Sequence, residues 1–119
     1  IARGMAYPFG SYNELVIDIL NKCGISYART AGSTYYFGFP QNWLKITPTC
    51  HHNDEKLESL IHRFVETNNE WNNAEMFYLW GHSYEFDFSD NWDFAEEMCK
   101  RISGHEDIFY GTNRECFGL

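Results

Sequence analysis

Met76-Phe77-Tyr78-Leu79-Trp80-Gly81-His82-Ser83-Tyr84-Glu85-Phe86-Asp87 is the stretch on which the fold of this chain turns. An apolar run leads into a glycine and then a histidine, with polar and aromatic residues after it. In an α/β protein that is the pattern of a buried strand, here 75–81, delivering a side chain at its end. The loop 82–90 follows. The unperturbed pKa of histidine lies near neutrality, so His82 suits proton transfer. A lone histidine at a strand end also serves as an ordinary hydrogen-bonding loop residue. The surrounding sequence has to separate the two roles.

Downstream, Asp90 reads as the N-cap of a helix. Trp92, Phe94, Ala95, Met98, Cys99 and Ile102 form its apolar side, and Gly104 ends it. Residues 107–112 read as a last strand. Upstream, residues 68–73 form a polar turn. Before it, a helix beginning near Asp54 carries Leu57, Leu60, Ile61, Phe64 and Val65 on one face. Residues 31–53 show no period and hold one compact apolar patch, Trp43 to Ile46. A connection of that length points to function or mobility. Residues 25–30 read as a strand. Ser11 and Glu14 form an S-x-x-E capping box for a helix carrying Leu15, Val16, Ile19, Leu20 and Cys23, which Gly24 stops. Residues 4–8 read as the first strand, ended by a Pro-Phe-Gly turn.

The order is therefore β-α-β-(loop)-α-β-α-β, an α/β chain with about four parallel strands and three helices. Ligand sites in such sheets gather beyond the carboxyl ends of the strands. That rule places the turn after Pro8, Arg29-Thr30, His82 and Thr112-Asn113 on one face. Four strands cannot close a barrel, and a parallel sheet needs cover on both faces. The architecture reads as part of a larger one, or as a small open sheet.

The 119 residues suffice for one domain with a modest core. Net charge is −8 and no basic cluster occurs, which argues against nucleic acid or an anionic membrane as partner. No apolar run approaches the ~20 residues that span a bilayer. The chain opens on Ile1 rather than Met, so a missing signal segment is uninformative. The 10 Phe, 8 Tyr and 4 Trp exceed ordinary usage; core packing accounts for some, and flat ligands such as sugar rings for others. Cys23, Cys50, Cys99 and Cys116 include no C-x-x-C pair and read as free and reduced.

Three constellations carry chemistry. Ala6-Tyr7-Pro8-Phe9-Gly10 offers a rigid turn whose amides can face an oxyanion, or simply a strand-to-helix turn. Thr49-Cys50-His51-His52-Asn53-Asp54 is rich in metal-competent groups, yet lacks the usual ligand spacings and also suits a polar loop and helix start. Glu85 and Asp87 stand close to His82 in sequence and can tune it, or form the solvated side of a short extended segment. Asp90 and Asp93 suit a helix N-terminus.

Taken in order, Arg3-Gly4-Met5-Ala6-Tyr7-Pro8-Phe9-Gly10-Ser11-Tyr12-Asn13, Tyr27-Ala28-Arg29-Thr30, Pro48-Thr49-Cys50-His51-His52 and Phe77-Tyr78-Leu79-Trp80-Gly81-His82-Ser83-Tyr84-Glu85-Phe86 resemble the polysaccharide deacetylase (NodB-homology) family of bacterial carbohydrate esterases. The likeness runs over nearly the whole chain, 1–119. It implies a partial (β/α) barrel and hydrolysis of N-acetyl groups on amino sugars. In that family a divalent metal, often zinc, activates the attacking water, an aspartate is the base and a histidine protonates the leaving amine. His82 matches that histidine. Tyr7-Pro8-Phe9-Gly10 matches the motif whose amide binds the oxyanion, with Phe9 as donor. Tyr7, Pro8, Trp80 and Tyr84 are the candidate substrate-binding residues.

Two departures matter. The family arginine two residues before the proline is Ala6 here, and Arg29, at a predicted strand end, is the preferred substitute over Arg3. The family's Thr-Phe-Asp-Asp-Gly strand and His-x-x-x-His segment are absent. The chain therefore reads as the C-terminal half of a deacetylase, with no metal ligands of its own, inactive alone, and with an N-acetylated carbohydrate and the N-terminal half of the barrel as partners. Uncovered strand edges make self-association a further expectation. The alternatives are a non-catalytic carbohydrate-binding or scaffolding domain, and a small metalloprotein using Cys50, His51 and His52.

Overall fold

The computed structural model describes residues 1–66 and 73–118. Strands β1 (Gly4–Ala6) and β2 (Tyr27–Arg29) pair in parallel, with Met5 opposite Ala28. Strands β3 (Cys50–His51) and β4 (Leu79–Trp80) form a second parallel pair, with His51 opposite Trp80. The extended segment 46–52 links the two. At one end the Ile46 amide donates to the Ala28 carbonyl (3.0 Å) and the Thr30 amide to the Ile46 carbonyl (2.7 Å). At the other, the Thr49 and His52 amides donate to the Tyr78 (2.8 Å) and Trp80 (2.9 Å) carbonyls. All strand directions therefore agree, and the carboxyl ends of β2, β3 and β4 fall on one side, as parallel pairing requires.

Helix α1 (Glu14–Lys22) crosses from β1 to β2, and its Ile17 is buried with Tyr7, Ala28 and Leu44. The cap is Asn13, whose side chain accepts from the Val16 amide at 2.9 Å, rather than the Ser11–Glu14 box read from sequence. Gly24 takes up φ 76° just past the helix, the left-handed turn expected of a stop glycine. Helix α2 (Leu57–Glu66) buries Leu57, Leu60 and Ile61 against Phe37 and Cys50. Burying each such aliphatic side chain contributes about 1.5–3 kcal/mol. Helix α4 (Trp92–Ile102) lays Phe94, Met98 and Ile102 on the same cluster.

Three readings change. First, 82–90 is not a loop: Tyr84–Ser89 form helix α3, which Asp90 closes in the left-handed region at φ 48°. Asp90 thus ends α3, and Asn91 is the N-cap position of α4. Second, 107–112 contains no strand; a four-residue helix α5 (Asn113–Cys116) follows, with a capping box between Thr112 and Glu115. Third, the periodless 31–53 segment supplies β3. Five helices and four very short strands result, and no barrel closes among the described residues. The expectation of an α/β chain with parallel strands holds at that level. Apart from Asn73, the polar turn at 68–73 lies outside the described residues. Among the described residues no helix is long and apolar enough to cross a membrane.

Candidate functional site

The carboxyl ends of β3 and β4 bring three imidazoles onto one carboxylate. Glu85 Oε2 lies 2.9 Å from His52 Nε2, 3.1 Å from His51 Nε2 and 3.1 Å from His82 Nδ1. The backbone amide of His82 also donates to it at 3.0 Å. His51 and His52 stand at the end of β3. His82 follows β4 after Gly81, and Glu85 is three residues on, in the first turn of α3. His82 lies two residues before α3, and the turn that opens the helix, with the Glu85 amide donating to the His82 carbonyl at 3.1 Å, brings the two side chains together.

The donors impose protonation patterns. An ionised carboxylate only accepts, so each ring nitrogen bonded to it carries hydrogen. For His82 this places a proton on Nδ1 and directs Nε2 away from Glu85, on a side chain that is 47 % exposed. For His51, Nδ1 accepts from the Asn53 amide at 3.1 Å, so its proton also sits on Nε2. His52 is buried between the rings of Phe86 (4.3 Å) and His51 (4.4 Å). Its Nε2 donates to Glu85 at 2.9 Å, with the His82 amide 3.3 Å away, and its Nδ1 is buried without a partner among the described residues.

Partial burial pushes the Glu85 carboxyl up, but the bonds from His82, His52 and the His82 amide, and the His51 ring beside it, outweigh that and hold it at about 2. Glu85 is therefore ionised at every ordinary pH. Burial pushes the His51 imidazole down, against the opposing pull of Glu85, with His52 and His82 adding to the lowering.

Around this centre the aromatic residues are ordered. Tyr84 stacks on His82 with ring centroids 5.2 Å apart. Trp80 meets His51 edge-on at 4.6 Å and His82 at 5.7 Å. The guanidinium of Arg29 lies over the Trp80 ring at 4.4 Å and donates to the Thr30 carbonyl at 3.0 Å. Arg29, Trp80, His82 and Tyr84 are thus assembled in one place. Tyr7 sits in the core, its hydroxyl donating to the Leu44 carbonyl at 2.8 Å. Pro8 and Phe9 lie exposed in a short 3-10 turn with Phe9 at φ 55°, and neither touches the histidines or Glu85 among the described contacts. That turn packs at the carboxyl edge of β2, where a Cβ on Gly10 would fall 2.6 Å from that of Ala31.

His51 and His52, from the metal-competent run at 49–54, and Glu85, a carboxylate close to His82 in sequence, complete the centre with His82, a convergence that the sequence does not itself display. His51, His82 and Glu85 offer ligand atoms that all lie within 4.8 Å of one another. The metal implied by the family resemblance draws its ligands from motifs this sequence does not contain. Of the residues present, only these three fit a divalent ion among the described residues. No family model, no curated protein and no solved structure matches the chain.

Proposed function

We propose that this chain is the C-terminal portion of a metal-dependent carbohydrate N-deacetylase, a partial (β/α) barrel, and that it supplies the general acid. The observation that carries the reading is the His82–Glu85 pair at the carboxyl end of a parallel strand, 3.1 Å apart through Nδ1. A proton-donating imidazole needs a fixed ring and a counter-charge. Glu85 provides both, leaving Nε2 to give its proton to the amine as the amide C–N bond breaks. After transfer the ring is neutral and still holds its Nδ1 proton against Glu85. A divalent metal, when bound in the complete protein, supplies Lewis-acid polarisation of the acyl oxygen.

Arg29 and Trp80 form a flat cationic ledge beside His82, suited to an N-acetyl group and a sugar face. Tyr84 extends that ledge. Pro8 and Phe9 sit at the end of β1, where the Phe9 amide is the proposed oxyanion donor. Tyr7 acts from beneath, through the Leu44 contact, by fixing that turn. The remaining barrel strands would cover apolar groups now exposed, among them Leu15, Ile19 and Phe109.

The test uses the full-length product of the gene that encodes these residues. It should release acetate from an N-acetylated amino-sugar oligomer in a metal-dependent way. His82→Ala should lower that rate by roughly 10²–10⁴-fold, the range for a general acid. An undiminished rate in His82→Ala refutes the role given to His82, and no acetate release at all refutes the class. The exposed rings of Tyr84, Phe88 and Trp92 favour one second reading, a non-catalytic sugar-binding domain. Oligosaccharide binding by a protein that releases no acetate would select it.

A further inference from the structure

We propose that His51, His82 and Glu85 bind one divalent transition-metal ion of the zinc type within this chain. Two imidazoles and a carboxylate are a ligand set that suits zinc and leave a fourth position open. Ligand atoms around tetrahedral zinc, at about 2.0–2.1 Å from it, stand roughly 3.4 Å from one another. Two of the three separations are already close to that: His51 Nε2 and His82 Nδ1 each lie 3.1 Å from Glu85 Oε2. Only the His51–His82 pair has to draw in, from within 4.8 Å.

The frame is held from three directions. His51 is fixed by its register with Trp80, and His82 and Glu85 by the turn that leads into α3, where the Glu85 amide donates to the His82 carbonyl at 3.1 Å. Behind them the buried His52 bonds Glu85 at 2.9 Å and keeps the carboxylate turned inward, the role that outer partners play at metal sites. Trp80 lies against both His51 and His82. The exposed His82 gives an entry path, and the net charge of −8 favours cations.

Proton balance is simple. The ion takes the places of the His51 Nε2 and His82 Nδ1 hydrogens. Each ring then carries its proton on the opposite nitrogen, so two neutral imidazoles and one carboxylate hold the ion. His51 gives up its acceptance from the Asn53 amide, which lies in an exposed turn. This ion is not the one of the deacetylase reading: it occupies the His82 Nδ1 and Glu85 atoms that form the acid pair there, so the loaded chain is not the acid-competent form, and its binding does not depend on any sugar chemistry.

The 119-residue chain is titrated with Zn²⁺ and, separately, with Co²⁺, and the histidine rings are followed by long-range ¹H–¹⁵N spectroscopy. One ion per chain should bind, switching the tautomers of His51 and His82 and leaving those of His62 and His105 unchanged. Metal that leaves the His51 and His82 rings unmoved overturns the site, and this needs no variant. His82→Ala and Glu85→Gln should each weaken Co²⁺ binding by roughly a hundredfold, the upper end of what even an outer partner costs. Binding that persists at full strength in both also overturns it. His62→Ala, at a separate histidine–glutamate pair on α2, should change nothing.

Discussion

Gly81→Ala is the most telling perturbation of this fold. A Cβ built on Gly81 overlaps the His52 ring, falling 2.5 Å from Nε2 and 2.7 Å from Cγ, and closer still to Cδ2. The His52 ring has nowhere to move, because it is 4 % exposed and packed between Phe86 and His51. Gly81 is not among the residues with positive φ, so the alanine backbone itself is unstrained and the whole cost is steric. Forcing one methyl into such packing costs about 1–3 kcal/mol. Displacing the His52 ring from its acceptor leaves a buried donor unmet, at about 1–3 kcal/mol more. The sum, about 2–6 kcal/mol, corresponds to a drop in Tm of about 8–24 °C for a chain of this size. Urea and thermal unfolding followed by circular dichroism measure it. In a His52→Ala background the same methyl has room, so Gly81→Ala should then cost under about 0.5 kcal/mol. A Gly81→Ala variant as stable as the parent refutes the steric reasoning, and so does an equal cost in both backgrounds.

Acid stability should fall in two stages. The folded pKa of His51 lies below its unfolded value, so its contribution is complete above about pH 6.5 and fades as pH falls through the lower folded value. That of Glu85, depressed to about 2, is present above the ordinary carboxylate range and is lost between there and about pH 2. Urea midpoints measured against pH should show both slopes, His51→Gln removing the first and Glu85→Gln the second; a profile that neither variant alters contradicts the cluster. Cys50 is fully buried, and burial, with Asp54 adding to it, pushes its thiol up to about 11, so a disulfide reagent at neutral pH should reach it only on unfolding, whereas exposed Cys23 and Cys99 react at once. Fast labelling of Cys50 in the folded chain would contradict its place under α2. Tyr7→Phe should cost about 1–3 kcal/mol in urea unfolding, because the Leu44 carbonyl loses its donor in the core; a neutral outcome would show that water replaces it.

Much of the frame is legible in the residues. Apolar spacing finds α1, α2 and α4 because each is long enough to repeat its pattern, and Gly24 marks the first stop by its positive φ. The misses have a common physical origin. Tyr84-Glu85-Phe86-Asp87-Phe88 alternates apolar and acidic residues, the period of a strand, yet folds as a helix of fewer than two turns that buries only Phe86. In so short an element one buried ring and the Trp92–Asp87 bond (2.7 Å) outweigh periodicity. Cys50–His51 is a strand of two residues and has no period to read; it exists because 46–52 meets β2 at one end and β4 at the other. Ile108, Phe109 and Tyr110 carry strand propensity, but no described strand lies beside them. Tyr110 instead turns its hydroxyl to the Ile102 carbonyl at 2.8 Å.

The centre is legible in the residues only in part, for a related physical reason. His82 announces itself by following an apolar run and a glycine. His51 and His52 lie in a segment without periodicity, and adjacent side chains on a strand point to opposite faces. Such neighbours converge on one carboxylate only where the strand ends and turns, as it does at Asn53. Gly81 then has two duties fixed by one ring: it lets the backbone of β4 pass close to His52, and so sets His82 at the mouth of the cluster. A larger residue at 81 would separate the very groups that give His82 its partner. The glycine before the histidine is therefore part of the chemistry, although it touches no substrate.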